Sequence, residues 1–383
     1  MSSPSRVPGP ITVFGATGVV GRRVCAELVR AGQAVAIVGR RAEALAALAA
    51  TLPAAPVHVA EAGDGAALAR AFAGARVVVN AAGPLRETCG PVLAGALAAG
   101  AHYVDVGGEQ AVLQEVYERH ESAVRRAGLV ALPGAGLDCV IGDLAGAWAA
   151  AHLLEAADPG GAVRDAPAPR LAEDHPIDDI AVSYVFDELA LSAGSQRALF
   201  GALGTRALIW RRDRWEAGPP GDHRRINAGP ALGGEREAQA FAGGDALTIP
   251  RHVAARLVAT YLSATRRAGA AAALRLLSRA LPFVPPRARE LLVPYELPEA
   301  GLAHTRLAVI ARAQRGFATV QIAVHGRDLY RTTAAITAWC ACRLAERITG
   351  PIGMRAPGEL FRAEPALRAI AHAADLTIEP SFG

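Results

Sequence analysis

The chain has 383 residues, of which 52% are hydrophobic and 20% are charged. That length predicts two domains, or one domain with a large insertion, and it supplies enough apolar residues for a sizeable core. The formal net charge is only +4. Its basic residues are scattered and form no long stripe interleaved with aromatic residues, so we expect no nucleic-acid binding.

All 40 basic residues are arginines. Without lysine the chain cannot use a Schiff-base lysine, a Tyr-x-x-x-Lys dyad or the lysine of a Walker loop. The 5 cysteines are dispersed and show no Cys-x-x-Cys spacing, so neither a disulfide framework nor a metal site is expected. No apolar run reaches the roughly 18 residues of a spanning helix. We therefore expect a cytoplasmic protein without a membrane span, and peripheral membrane contact stays open.

The first predicted strand, Ile11 to Phe14, leads into the glycine-rich stretch Gly15 to Gly21 and then into a helical pattern. A strand, a glycine turn and a helix in this order are typical of a dinucleotide phosphate site, where the helix N-terminus favours an anion. Gly15 permits the turn, Gly18 lets the backbone approach a pyrophosphate, and Gly21 allows close packing of helix and strand. The alternative is a glycine-rich turn without a ligand. The predicted cofactor residues here are Gly15, Thr17, Gly18, Val19, Val20 and Gly21.

The second predicted strand, Ala34 to Val38, is followed by Gly39, Arg40 and Arg41. NAD sites usually place a carboxylate at this position, where it bonds the ribose 2′-hydroxyl. Guanidinium groups instead bind a 2′-phosphate. We therefore predict NADPH, with Arg40 as the main contact and Arg41 assisting or stacking on adenine. The alternative is that both arginines only begin the next helix.

Strands and helices alternate further along the first part of the chain, with predicted strands at 57–60, 76–80, 102–104 and 129–132. This alternation is typical of a parallel sheet with helices on both faces. The rhythm changes after a loop rich in Asp, Pro, Gly and Ala. There we predict strands at 180–186 and 206–212, a hairpin at 302–324, and helices at 250–265, 270–280 and 328–348.

The predicted fold is therefore α/β, a doubly wound Rossmann domain with an inserted α+β second domain. The Rossmann domain takes residues 1–145. The inserted substrate or dimerisation domain takes residues 146–330. The C-terminal helices, 331–383, are expected to pack back toward the first domain.

Three loops at the predicted carboxyl ends of the sheet supply further candidates, because ligands of such sheets bind there. The predicted cofactor residues in these loops are Ala81, Ala82, Gly83, Pro84, Asp105 and Gly107. Tyr103 is a weak catalytic candidate that alternates into the core. Asp138 could position substrate, although a helix N-cap is the favoured role.

These motifs together resemble the saccharopine dehydrogenase-like NADP-binding family, especially its short trans-acting enoyl reductase members. The resemblance rests on Gly15 to Gly21, Asn80 to Pro84, His102 to Asp105 and Gly136 to Leu144. It continues through Ile249 to His252 and Val324 to Tyr330 and so spans almost the whole chain. It implies an NADPH-dependent oxidoreductase that reduces either activated C=C bonds on carrier- or lipid-linked substrates or C=N bonds of imines.

We expect an enoyl reductase of specialised or lipid metabolism as the main function. The apolar segment 270–292 favours this function, because the segment could line a substrate channel, contact a membrane or form a dimer face. Core packing of the segment is the alternative. An imine reductase of the saccharopine dehydrogenase type is the first alternative. A non-catalytic NADPH-binding scaffold or sensor is the second, since a fold alone does not imply a function. Tyr184, His175 and Asp187 are weak candidates for chemistry in the second domain. Formation of a homodimer is left open by the sequence.

Overall fold

The computed structural model describes residues 9–154, 170–171, 176–192, 194–196, 198–199, 206–219, 221–265, 272, 276, 279–280, 283–285, 303–346 and 350–383. The chain divides into two compact units. The first runs to Val106 and adds Val116–Ala135 and Thr333–Arg355. The second takes Gly107–Glu115, Gly136–Thr332 and Ala356–Gly383. The domain boundaries predicted at 145 and 330 stay a prediction.

The strands of the first unit are β1 (Ile11–Phe14), β2 (Val35–Gly39), β3 (Val57–Val59), β4 (Val77–Asn80), β5 (His102–Asp105), β6 (Val130–Leu132) and a late strand, Gly353–Met354, numbered β15 below. The helices that begin between them are α1 (Val19–Arg30), α2 (Ala42–Ala49), α3 (Gly65–Ala71), α4 (Leu85–Ala98) and α5 (Gln110–Arg126).

In the described residues these strands form one parallel sheet of seven, in the order β15-β6-β5-β4-β1-β2-β3. Every residue of β1, β2 and β4 is buried, as expected for strands covered by helices on both faces. The strand order reverses at β1, which lies between β2 and β4. Ligands of doubly wound sheets bind at this reversal, beside the carboxyl ends of the strands. The predicted fold class is thereby confirmed, and β15 is an edge strand that the sequence pattern did not indicate.

The long central segment of the second unit begins with a π-helical turn, Leu137–Ile141, which leads into α6 (Gly142–Leu153). Its strands are β7 (Asp179–Phe186), β8 (Leu208–Arg211), β9 (Arg214–Ala217), β10 (His223–Asn227), β11 (Glu235–Ala240), β12 (Leu257–Ser263), β13 (Arg306–Arg315), β14 (Ala318–Arg327) and, after β15, β16 (Thr377–Phe382). Its further helices are α7 (Asp245–Thr248), α9 (Pro357–Leu360) and α10 (Ala363–Ala374), while α8 (Leu329–Ala345) begins in this unit and continues into the first.

The second unit contains a mixed sheet whose described strands run in the order β10-β11-β12-β7-β13-β14-β16. Strand β8 also pairs with β12, and β9 pairs with β8. The predicted hairpin is present, and β13 and β14 pair over ten residues each, from Arg306 opposite Arg327 to Arg315 opposite Ala318. Strand β7 occupies the middle of the sheet, parallel to β12 and antiparallel to β13.

The prediction of a helix over residues 250–265 was wrong. Leu257 to Ser263 form β12, which pairs with β7 over six residues. Six of its seven residues are buried, and a short, continuously buried run cannot be assigned to strand or helix by periodicity alone. Pairing with β7 makes this segment a strand. The helix predicted at 270–280 lies almost entirely outside the described residues.

Candidate functional site

The turn between β1 and α1 requires glycine at two positions. Gly15 has a φ of +78°, and a Cβ there would lie 2.7 Å from the backbone nitrogen of Ala82. A Cβ on Gly21 would lie 2.2 Å from the carbonyl oxygen of Gly15. Any side chain at either position would therefore push the turn away from its neighbours. The glycines hold the first turn of α1 tightly against the end of β1.

The N-terminus of α1 is suited to an anion. Gly18 is the N-cap residue and supplies no side chain that could bond the helix N–H groups. The first turn contains no acidic residue. The N–H groups of a first helical turn have no acceptor within the helix, and the helix dipole adds partial positive charge there. A phosphate group placed at this end would be stabilised by both effects.

A cavity of about 430 Å³ opens beside this turn, large enough for part of a dinucleotide. It lies wholly within the first unit, and its wall combines the glycine turn with the ends of β2, β3 and β4. The lining residues are Phe14, Gly15, Thr17, Gly18, Gly39, Arg40, Arg41, Glu61, Ala62, Gly63, Ala81, Ala82, Gly83, Pro84, Glu87 and Thr88. We refer to it as the glycine-turn cavity. Because the N-cap residue Gly18 and the cations of Arg40 and Arg41 line this cavity, the residues present fit a dinucleotide phosphate.

Nine of the fourteen predicted cofactor residues line this cavity. They are Gly15, Thr17, Gly18, Arg40, Arg41, Ala81, Ala82, Gly83 and Pro84. Val19, Val20 and Gly21 lie in the first turn of α1, next to the cavity wall. Asp105 ends β5, two strands from β1, and Gly107 belongs to the second unit.

The two arginines that follow β2 reach the cavity from its outer side. Both are exposed, and Arg41 is the N-cap residue of α2. The Nη2 atom of Arg41 donates to the hydroxyl of Thr17 at 3.4 Å, which ties the arginine pair to the glycine turn. Sequence reasoning missed that two carboxylates, Glu61 and Glu87, line the same cavity. The glutamates are the only acidic residues on the wall, so arginine and glutamate charges balance there in number.

A hydrogen-bond network holds the loop after β4. The side-chain oxygen of Asn80 accepts from the backbone N–H of Ala82 at 3.1 Å. Its amide nitrogen donates to Thr88 and to Tyr103, both at 3.2 Å. Thr88 in turn donates to the carbonyl of Ala82 at 2.7 Å. Asn80 is therefore a positioning residue for this loop. The signal that could have revealed it is one polar residue ending the otherwise apolar strand Val77–Asn80.

Tyr103 and Asp105 make structural contacts within the first unit. Tyr103 is fully buried, and burial together with nearby Asp105 raises the pKa of its hydroxyl well above the usual value. Asp105 is also buried and accepts a hydrogen bond from the backbone N–H of Gly134 at 2.9 Å. His102 accepts from the N–H of Val130 at 3.0 Å. Side chains of β5 thus hold β6 and the loop that follows it.

Asp138 does not cap a helix, so the favoured interpretation was wrong. It lies inside the π-helical turn that precedes α6, whose N-cap residue is Ile141. A Cβ on Gly108 would lie only 1.8 Å from a carboxylate oxygen of Asp138. The wider π-turn therefore directs this carboxylate against backbone instead of the first turn of α6.

Tyr184 forms the strongest candidate pair of the second unit. Its hydroxyl lies 2.9 Å and 3.1 Å from the two carboxylate oxygens of Asp245, and both side chains are buried. Burial raises the pKa of Asp245 well above its usual value, and burial with the nearby Asp245 does the same for Tyr184. Gly142 leaves room for this pair, since a Cβ there would lie 2.2 Å from Asp245. Asp245 was not a candidate from the sequence.

A second buried pair joins two motifs of the resemblance that are distant in sequence. His252 Nε2 lies 3.0 Å from Asp143 Oδ2, and the other oxygen of Asp143 accepts from the N–H of Gly358 at 2.8 Å. This arrangement fixes α6 against the loop before β12 and against α9. The motifs therefore serve the fold of the second unit.

Other candidates fall outside these groups. Asp187 lies at the end of β7, where it accepts from Arg306, and it does not join Tyr184. His175 lies outside the described residues, as does most of the segment 270–292. Within the described ranges, no group of three or more potential ligands could hold a metal ion. No described helix is long and apolar enough to cross a membrane.

Comparison with known proteins identifies the type of the first unit. Residues 11–132 match the family model described as the saccharopine dehydrogenase NADP binding domain. No curated protein matches the sequence significantly.

Two solved structures match over nearly the whole chain. Saccharopine dehydrogenase (L-Glu forming) from Saccharomyces cerevisiae is 14% identical, with a TM-score of 0.61 over 98% of this chain and 100% of that one. Homospermidine synthase from Legionella pneumophila, solved in complex with NAD, is 10% identical, with a TM-score of 0.66 over 98% and 91%. At these identities the likeness establishes a shared fold.

These findings support the predicted enzyme class and cofactor class, since residues 11–132 match an NADP-binding domain. They do not support the enoyl reductase subtype, and they agree better with the imine alternative. Residues 11–132 of this chain thus form an NADP-binding domain of the saccharopine dehydrogenase type, in a chain whose described part has a fold similar to that of saccharopine dehydrogenase.

Proposed function

We propose that the protein is an NADPH-dependent reductase of C=N bonds, in place of the enoyl reductase that the sequence favoured. The observation that carries the proposal is the match of residues 11–132 to the saccharopine dehydrogenase NADP-binding domain, together with the glycine-turn cavity it contains. The two neighbours of similar fold are named as saccharopine dehydrogenase and homospermidine synthase. The resemblance found in the sequence includes reductases of imines formed from amino acids.

The chain's own residues support NADPH in three ways. The N-terminus of α1 would hold the pyrophosphate. Arg40 and Arg41, at the outer wall, would bind the 2′-phosphate. The loop from Ala81 to Pro84, fixed by Asn80, presents small residues against which a ribose can lie. When bound, the reduced nicotinamide supplies a hydride.

The chemistry also needs a proton. A hydride added to an imine carbon moves the C=N electron pair to nitrogen, and the nitrogen takes up a proton to give an amine. Water can supply this proton.

The test is turnover of NADPH, followed by its fluorescence, with two substrate panels. One panel contains imines formed in solution from amino acids and aldehydes or oxo acids. The other contains enoyl thioesters. We expect oxidation of NADPH with imines and none with enoyl thioesters. Turnover of enoyl thioesters alone would restore the enoyl reductase, and binding of NADPH without turnover in either panel would favour a scaffold or sensor.

A further inference from the structure

The mixed sheet of the second unit has a polar cavity on one face. Side chains of a strand alternate between faces. Ile180 and Val182 of β7 face α6, since a Cβ on Gly146 or Gly142 would lie 3.4 Å or 2.6 Å from them. Asp179, Ala181 and Ser183 therefore point to the opposite face. There they line a cavity of about 280 Å³.

Four strands enclose this cavity. Strand β10 contributes Arg224 to Asn227, although it lies three places from β7 in the sheet, so the sheet curves over its own face. Strands β13 and β14 supply the rest of the wall. The complete lining is Asp179, Ala181, Ser183, Arg224, Arg225, Ile226, Asn227, Ile310, Arg312, Gln314 and Gln321. We refer to it as the Arg312 cavity.

Arg224 and Asp179 form an ion pair that leaves bonding capacity on both partners. Nη2 of Arg224 lies 2.6 Å from Oδ2 of Asp179. Burial lowers the pKa of Arg224, but Asp179 outweighs it and raises the pKa above the usual value. Nη1 of Arg224 and Oδ1 of Asp179 are buried without a hydrogen-bond partner. Buried polar atoms are usually hydrogen-bonded, so this donor and this acceptor could each bond a polar ligand.

Arg312 adds a second cation to the lining of this cavity. It projects from β13, directly opposite Ala181 on β7 and Gln321 on β14, and it is half-buried. Among the described residues it forms no ion pair and no side-chain hydrogen bond. The lining contains three arginines against one aspartate, so a bound molecule of net negative charge is favoured.

We propose that the Arg312 cavity binds a small amino acid with an acidic side chain. Its ammonium would donate to Oδ1 of Asp179. Its carboxylates would accept from Arg312 and from Nη1 of Arg224, and guanidinium groups suit carboxylates because they can bond bidentately. Ala181, Ile226 and Ile310 provide apolar surface for its methylene groups. The site goes beyond the proposed reductase function, since none of its residues belongs to the glycine-turn cavity.

The proposal is tested by calorimetric titration of the full chain with L-aspartate and with succinate, which lacks the ammonium group. We expect one aspartate bound per chain, and succinate bound about 10-fold more weakly, because it leaves Oδ1 of Asp179 without a donor. Absence of aspartate binding would overturn the proposal. Succinate that binds as tightly as aspartate would also overturn it.

Variants locate the site. Arg312→Gln breaks no ion pair and should weaken aspartate binding at least 10-fold, while Arg312→Lys should retain part of it. Arg315→Gln, on the same strand but outside the lining, should leave the affinity unchanged. An equal effect of Arg312→Gln and Arg315→Gln would place aspartate elsewhere and overturn the proposal. NADPH binding should be unchanged in all three, so failure here is separable from failure of the reductase proposal.

Discussion

At the scale of single residues, the glycine-turn cavity depends on two glycines without side chains and on arginines in place of a carboxylate. Gly15 and Gly21 are required because a Cβ would enter backbone space. Arg40 and Arg41 replace the carboxylate that would favour NAD. Glu61 and Glu87 share the wall with them. In the proposed NADPH site, the guanidinium groups would therefore hold the 2′-phosphate against repulsion from two carboxylates on the same wall.

Arg40→Asp tests the cofactor preference. We expect NADPH affinity to fall about 10- to 100-fold, because one charge-assisted contact is lost and a repelling carboxylate is added. NADH affinity should change far less, since NADH has no 2′-phosphate. Kd values from nucleotide fluorescence provide the measurement. Arg70→Asp, on α3 and outside the cavity, is the control and should alter neither affinity. Equal weakening of both nucleotides by Arg40→Asp would refute the 2′-phosphate assignment.

Gly15→Ala tests the packing of the turn. The added Cβ meets both a left-handed φ and the backbone of Ala82, and together these should lower the free energy of unfolding by about 3 kcal/mol. Gly32→Ala is the matched control. Gly32 has a φ of +73° but nothing within 4 Å of a Cβ, so it should cost only about 1–2 kcal/mol. Urea unfolding of both variants measures the difference. Similar losses would show that the close approach to Ala82 contributes nothing.

At the scale of elements, strand pairing organises the second unit. Strand β7 pairs with β12 on one side and with β13 on the other, and it is buried along most of its length. Its two faces carry different chemistry. Tyr184 bonds Asp245 on one face, and Asp179 lines the Arg312 cavity on the other. A slip of one residue in the register would exchange the two faces, which makes this register the main determinant of both groups.

Asp187→Asn tests the junction at which β7 ends and β13 begins. Burial would raise the pKa of Asp187, but hydrogen bonds from Arg306 and Glu188 outweigh it, and the pKa is lowered. A carboxylate with a lowered folded-state pKa stabilises the fold above its unfolded pKa, and that stability is lost as pH falls through the folded value. The substitution should therefore cost up to about 1 kcal/mol at neutral pH and almost nothing in acid below the folded pKa.

Urea unfolding of wild type and Asp187→Asn at neutral and acidic pH provides the measurement. Asp213→Asn is a suitable control because Asp213 is largely exposed and its nearest cation, on Arg170, is 3.8 Å away. It should show little effect at either pH. A cost for Asp187→Asn that does not change with pH would mean that the charge of Asp187 contributes nothing to stability.

At the scale of the whole molecule, two units carry separate potential ligand sites. The first unit holds the NADP-binding domain of the saccharopine dehydrogenase type. The second holds the Tyr184–Asp245 pair and the Arg312 cavity. Ligands that bind only the folded state stabilise it in proportion to their occupancy. The two proposed sites can therefore be distinguished by the stability that each ligand adds.

Thermal unfolding with NADPH tests the whole chain. At a concentration 100 times its Kd, NADPH should add about 2.7 kcal/mol to the free energy of unfolding. NADH at the same concentration should add less, because it binds more weakly to a site built for a 2′-phosphate. Arg40→Asp should remove most of this difference between the two nucleotides. A larger shift with NADH than with NADPH in the wild type would refute the cofactor preference.

The sequence by itself determined the first unit to a large extent. Strands, helices and turns of a parallel sheet are encoded by local patterns, and a glycine turn acts through its own backbone. Gly15 to Gly21, Arg40 and Arg41 could therefore be assigned from neighbours in sequence. The edge strand β15 could not, since two residues, Gly353 and Met354, carry no periodic pattern and become a strand only by pairing with β6.

Only the tertiary structure decided the strand assignment and the side-chain groups of the second unit. The segment Leu257–Ser263 has a buried, apolar pattern compatible with helix or strand, and pairing with β7 resolves it. Tyr184 bonds Asp245, which lies 61 residues further along the chain, and Asp143 bonds His252, which lies 109 residues further along. Arg224 joins Arg312 and Asp179 only because the sheet curves over its own face. Such groups arise from long-range strand pairing and burial, which no local pattern records.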